Sequence, residues 1–195
     1  MEVNSKRVNQ QVRNFERTIQ EYQFKEPFSR FLTQFYKNNR QMGSSDRRMN
    51  SRLCYNYFRL GKAFSNLSVL DRLCIAEFLC EQNSAVVAVN KPDWIEISTK
   101  GIEEKINFIE AEFGQFLDDV FPFTSLLSPN IEKRSFIISH FIQPNLYIRV
   151  QKGMEGKVKK TLEKNEIPFE ELSSQTLALP TGTNLQQSKS LDGDS

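Results

Sequence analysis

Little in this sequence is suited to chemistry of its own. The chain has one histidine, His140, and three cysteines, Cys54, Cys74 and Cys80. An odd number of cysteines without paired spacing argues against both a disulfide framework and a zinc site. Each follows a leucine in an apolar helical context and reads as a small buried hydrophobe. His140 has no Asp, Glu or Cys at a ligand spacing, so it predicts neither a metal centre nor a general base. No Gly-rich loop follows a strand, and no nucleotide-binding loop or Ser/His/Asp arrangement is present. Asp118-Asp119 and Glu170-Glu171 are adjacent carboxylates, whose side chains diverge on regular structure. The expectation is a chain without catalytic residues, metal or bound cofactor. No apolar run reaches the ~18 residues of a membrane span, and Met1 to Arg7 lead into polar sequence instead of an apolar leader. A cytoplasmic protein is expected.

Charge, by contrast, is abundant and unevenly placed. The formal net charge of +2 conceals 13 Lys/Arg against 5 Asp/Glu in residues 1–62, a local net of +8. Residues 63–143 hold 6 against 12, a net of −6, and residues 144–195 hold 7 of each. A basic first third beside an acidic middle points to a polyanion partner, unless the two segments simply neutralise each other.

The stretch Gly43–Lys62 concentrates that positive charge on a helix. Gly43 breaks the preceding segment, Ser44 or Ser45 is placed to cap, and Asp46 falls in the first turn, where a carboxylate complements the helix dipole. Met49, Leu53, Tyr57, Leu60 and Phe64 recur at helical spacing and predict one buried face. Opposite them run Arg48, Arg52, Tyr55, Arg59 and Lys62. That stripe is either a solvated face or a surface that tracks phosphates, with Tyr55 offering a ring to an unpaired base.

Around this helix the pattern is helical. Val8, Val12, Phe15, Ile19 and Tyr22 form one face of a helix over 3–22. Pro27 at the first helical position opens a second, running through Asn38, with Phe28, Phe31, Leu32, Phe35 and Tyr36 toward the core. Val69 to Glu81 is apolar almost all round, which places it at the centre of a bundle. Asn83 to Asn90 is read as a short helix in preference to a strand, and Trp94 as a packing anchor. Helices are further expected over Thr99–Phe113 and Ile131–Ile142.

At Gln143-Pro144 the period changes. Leu146, Ile148 and Val150 alternate with Tyr147 and Arg149 as a strand does, a Lys-rich helix follows from Glu155 to Asn165, and a second strand is expected near 176–179. The expected organisation is a helical domain over 1–143, a small β-α-β module over 144–182, and a Gln/Ser/Asp-rich linker or truncated tail over 183–195. A module of that size is marginal alone and looks unfinished.

Ser45-Asp46-Arg47-Arg48 followed by Leu53-Cys54-Tyr55-Asn56-Tyr57-Phe58-Arg59 resembles the Asp-Arg…Leu-Val-Tyr-Gly-Val-Leu-Arg signature of NusB-like helical domains. Gln143 to Val150, the Lys-rich helix, Ile167-Pro168-Phe169 and Leu177-Ala178-Leu179-Pro180 resemble the junction and small α/β module of the Sun (Fmu) family of RNA cytosine-5 methyltransferases. Together these cover most of residues 25–185. The resemblance implies a mainly α fold: a NusB-like bundle followed by a small, incomplete ferredoxin-like or RRM-like module. It further implies the RNA-binding N-terminal portion of an S-adenosylmethionine-dependent ribosomal RNA methyltransferase, with Lys37, Arg40, Arg47, Arg48, Arg52, Tyr55, Arg59, Lys62 and Arg149 meeting RNA. Lys157, Lys159 and Lys160 would extend that surface. The family's methyl-donor loop is absent here, as are cysteines after Pro and after Thr, so this chain alone is expected to be inactive and to need a C-terminal methyltransferase domain. A stand-alone NusB-like antitermination adaptor is the alternative, and an interaction domain without nucleic acid the third reading. Replacing Arg48, Arg52 and Arg59 together by Gln is expected to weaken RNA binding without unfolding.

Overall fold

The computed structural model describes residues 4–181 together with Thr183 and Leu185, so the tail expected over 183–195 otherwise lies outside the described residues. The chain divides into two compact units, residues 1–142 and 143–195. Among the described residues it is mainly helical, with one small antiparallel sheet.

The first unit is all helix. Helix α1 (Ser5–Glu21) begins where the Asn4 side chain accepts the Arg7 N–H, and it buries Val8, Val12 and Phe15. Helix α2 (Phe28–Asn38) and helix α3 (Ser44–Arg59) form an antiparallel hairpin. The end of α2 meets the start of α3 through the Tyr36 hydroxyl at Arg47 O and Ser51 Oγ (3.1 and 2.8 Å), while Phe28 near its start packs on Tyr55 and Phe58. Two expected caps differ. Pro27 is the cap residue of α2 instead of its first helical residue, its carbonyl accepting the N–H groups of Arg30 and Phe31. Gly43 caps α3 without a side chain, and both serines lie inside the helix.

Helix α4 (Val69–Cys80) carries seven consecutive buried residues, Leu73 to Leu79. It packs against α3, against α5 (Ala85–Asn90) and, after the short α6 (Ile95–Ser98), against α7 (Ile102–Phe113). Phe15, Leu53, Leu60, Leu73, Ile75, Phe78, Ile106 and Ile109 are fully buried around it. Trp94 is buried edge-on against Phe78 and Phe108 (5.2 and 5.7 Å). Helices α8 (Leu117–Val120) and α9 (Lys133–Ser139) close the unit, and Ile137 and Phe141 are buried there. The expected helix over 99–113 starts later, because Gly101 caps it with Glu104 reaching back to its N–H. That over 131–142 is shorter, because Glu132 accepts the N–H groups of Arg134 and Ser135. The turn after α3 needs Gly61: its φ is +55°, and a β-carbon there would stand 2.0 Å from the Val120 carbonyl oxygen.

The second unit runs β1 (Leu146–Arg149), α10 (Glu155–Lys164), β2 (Glu170–Ser173) and β3 (Thr176–Leu179). Its strand order is β1-β3-β2 with antiparallel neighbours, so β3 is inserted between the two strands joined by the helix. Leu146 and Ile148 stand opposite Leu179 and Leu177. Leu177 and Leu179 join Val150 and Leu162 of the helix in a small core of their own. Strand β2, which contains the Glu170-Glu171 pair, is a third strand beyond the expected β-α-β. All four of its residues are exposed, so it has no apolar alternation to reveal it.

Candidate nucleic-acid interface

Helix α3 has two packed sides, and this reshapes its cationic stripe. Arg52 turns toward α4, where its guanidinium donates to Glu77 Oε2 at 2.7 Å and stands 3.8 Å from Glu81. Glu77 is fully buried, and the rest of its bonding capacity is filled by Asn56 (2.8 Å) and Ser84 (2.6 Å). A buried carboxylate needs that full set of donors. Reading α4 as apolar almost all round gives this residue no role. Arg59 donates to the carbonyls of His140 and Ile142 at 2.6 and 3.3 Å, strapping α3 to the end of α9. Arg47 is half-buried, with its Nε on Met42 O at 2.7 Å and its guanidinium over the Tyr36 ring. Three of the nine residues expected to meet RNA therefore hold the fold together. Replacing Arg48, Arg52 and Arg59 as a set removes the contacts of Arg52 and Arg59 along with any RNA contact, so it does not separate binding from folding.

The remaining cations are placed differently. Lys37 in the last turn of α2, Arg40 in the α2–α3 turn, Arg48 in the first turns of α3, and Lys62 are exposed, without an ion pair among the described residues. Arg7, which sequence reasoning did not select, joins them: its guanidinium reaches Ser45 Oγ at 3.4 Å, one turn before Arg48. Arg7, Lys37, Arg40 and Arg48 thus gather about the α2–α3 turn. There Gly43 leaves the amino end of α3 without a side-chain acceptor, and Asp46 is the one carboxylate in that first turn. Tyr55 is 45% exposed and packs edge-on against Phe28 at 5.6 Å. In the second unit Arg149 is exposed beside Gln151, Lys152 and Gln175, while Lys159 pairs with Glu171 at 2.6 Å and Lys157 and Lys160 are exposed.

Ion pairing bears on the third sequence reading. Arg52 bridges from the +8 segment to the −6 segment, whereas Arg17–Glu21, Lys91–Asp71, Lys133–Asp118 and Arg134–Glu103 each close within one segment. Arg7, Lys37, Arg40 and Arg48 form no ion pair with a carboxylate of the described residues.

Little else offers chemistry. Burial pushes the thiols of Cys54, Cys74 and Cys80 up to about 12, which leaves no thiolate near neutral pH. Lys105 is buried with its Nζ on the carbonyls of Phe78 and Glu81 (3.0 and 2.8 Å), and burial lowers its pKa; it closes the carboxyl end of α4. His140 Nδ1 lies 3.0 Å from Phe136 O in its own helix. No three His, Cys, Asp or Glu side chains among the described residues could hold a metal ion, and no described helix is long and apolar enough to cross a membrane. Compared with protein-family models, with curated proteins and with solved structures, the chain matches none.

Proposed function

We propose that this chain binds RNA through the corner formed by Arg7, Lys37, Arg40 and Arg48, and that it is the RNA-recognition portion of a ribosomal RNA cytosine-5 methyltransferase whose methyl-donor site lies on another domain. The observation that carries the binding reading is the cluster itself. Three exposed cations, Lys37, Arg40 and Arg48, lie on or beside one turn, a fourth, Arg7, reaches the amino end of the helix that follows it, and none holds an ion pair among the described residues. Guanidinium and ammonium groups so placed exchange condensed counterions for phosphates, while an internal carboxylate would have quenched them. Placement in the methyltransferase family draws on the resemblance and on the order of the second unit. β1-α10-β2-β3 with β3 in the middle is the order that the first four of the six elements of a ferredoxin-like split β-α-β arrangement would take. The antitermination adaptor reading draws on a different surface. Phe123, Leu126 and Ile131 are exposed near α9, Leu126 by 79%, and an apolar patch of this kind suits a protein partner.

The test replaces only cations that hold no ion pair among the described residues. Lys37→Gln, Arg40→Gln and Arg48→Gln combined are expected to leave the thermal midpoint unchanged and to weaken binding of single-stranded RNA. The slope of log K against log[salt] should become shallower by about 2, at roughly 0.7 for each phosphate that is no longer neutralised. An unchanged slope sinks the reading.

A further inference from the structure

Phe24, between α1 and α2, has a φ of +56°, a conformation that bulky side chains rarely adopt, and the residue is 74% exposed. The fold thus holds an aromatic ring in a costly backbone state and presents it to water, where it gains almost nothing from burial. On its inner side Phe24 touches Tyr22 (4.5 Å) and Phe58 (6.1 Å). From Phe58 the row continues edge-on to Phe28 at 4.8 Å and from Phe28 to Tyr55 at 5.6 Å. Phe58 and Phe28 are half-buried, so they brace the two outer members of the row, Phe24 and Tyr55. Edge-to-face packing fixes ring orientation and leaves the outer faces open.

The charges beside the row choose among occupants. Lys25 follows Phe24 directly and Arg30 lies in the first turn of α2; both are exposed and make no ion pair among the described residues. Arg48 stands two turns before Tyr55 on the same face of α3. Of the nearby carboxylates Glu21 is held by Arg17 at 2.8 Å, and Glu26 is exposed without a salt bridge among the described residues. Exposed rings with unpaired cations beside them suit a ligand that alternates flat apolar faces with phosphates. A duplex hides its base faces in the stack, whereas a single strand offers them.

We infer that Phe24 and Tyr55 are stacking platforms for two unpaired bases of single-stranded nucleic acid, with Lys25 and Arg30 beside Phe24 and Arg48 beyond Tyr55 holding phosphates of the same strand. This rests on the RNA-binding reading and deepens it by naming the strand state and the rings that meet the bases.

The full chain is titrated with a labelled twelve-nucleotide oligouridylate and with an RNA duplex of equal length, using Phe24→Leu, Tyr55→Leu and Phe24→Tyr. Each leucine variant keeps an apolar side chain at an exposed position. Each is expected to bind the single strand about tenfold more weakly, with an unchanged salt slope and unchanged duplex affinity, because base stacking is removed and phosphate neutralisation is not. Phe24→Tyr keeps wild-type affinity. If both leucine variants bind like wild type while the Lys37/Arg40/Arg48→Gln protein binds weakly, the platforms are overturned and the RNA reading stands. Equal weakening on single strand and duplex also overturns them. If the wild-type chain binds neither RNA, both readings fall together. Concentration-dependent self-association abolished by Phe24→Leu would then mark the row as a protein-binding surface.

Discussion

Cys54, Cys74 and Cys80 differ from solution thiols for one shared reason: burial disfavours the thiolate, and no nearby cation compensates enough to restore it. The consequence for stability has a definite sign. In the unfolded chain these thiols ionise near their ordinary value of 9.0, whereas in the folded chain they stay protonated to about 12. Over that interval the folded state binds more protons than the unfolded one, so stability is fully present below pH 9 and declines as the pH rises toward 12. The urea midpoint is expected to hold steady between pH 7 and pH 8.5 and to fall steeply above pH 9. Cys54→Ala with Cys74→Ala starts from a lower midpoint, because two packed sulfurs are gone, but declines less steeply. Equal slopes for the two proteins would show that other groups drive the alkaline decline. The same residues are expected to resist thiol reagents at pH 8 until urea unfolds the chain.

At the scale of elements, α3 owes its position to one buried carboxylate on its neighbour. Glu77 of α4 takes Arg52 and Asn56 of α3 and Ser84 before α5, which fixes the rotation of three helices about one point. Removing the cation leaves a charge without its counter-charge at a site with no solvent, and such a change costs about 3 kcal/mol. Arg52→Met is therefore expected to lower the unfolding free energy by about that amount in urea titrations. Adding Glu77→Gln recovers part of the deficit, because a neutral amide needs no counter-charge. If the double variant is no more stable than the single one, the charge is not what the network answers. This arrangement explains which parts of α3 are legible in the sequence. Its apolar face is, because Leu53, Tyr57 and Leu60 repeat at helical spacing and are all buried. The role of Arg52 is not, because its partner sits alone inside an apolar run and pairs across 25 positions. Four-residue helices such as α6 and α8 are too short to show a period, and β2 exposes both its faces. Of the candidate interface, the cations can be read by type. Their grouping around one turn and the exposure of Phe24 depend on backbone geometry that neither composition nor spacing encodes.

At the scale of the molecule, the described residues form two hydrophobic cores of very different size, and this sets how the chain unfolds. The first unit surrounds α4 with buried residues from α1, α3, α5, α7, α8 and α9, while the core of the second rests on Val150, Leu162, Leu177 and Leu179 with a few half-buried neighbours. A core that small supplies no more than about 3–5 kcal/mol, and deleting a buried leucine costs about 2–5 kcal/mol. One truncation therefore removes most of the margin of the second unit. Leu177 is the residue to choose, since it is fully buried on the central strand and pairs with both edge strands. In Leu177→Ala the amides of β1 and β3 are expected to lose hydrogen-exchange protection under conditions where those of α3, α4 and α7 keep theirs. The far-UV helical signal should remain largely intact. Cores that share no side chains need not melt together, and loss of protection in α4 at the same denaturant concentration as in β3 would show that they do. The same measurement bears on the interface. Arg7, Lys37, Arg40 and Arg48 all stand in the more deeply cored unit, so Leu177→Ala is expected to retain the salt-dependent part of RNA binding contributed by that corner while losing whatever Arg149 and Lys152 add.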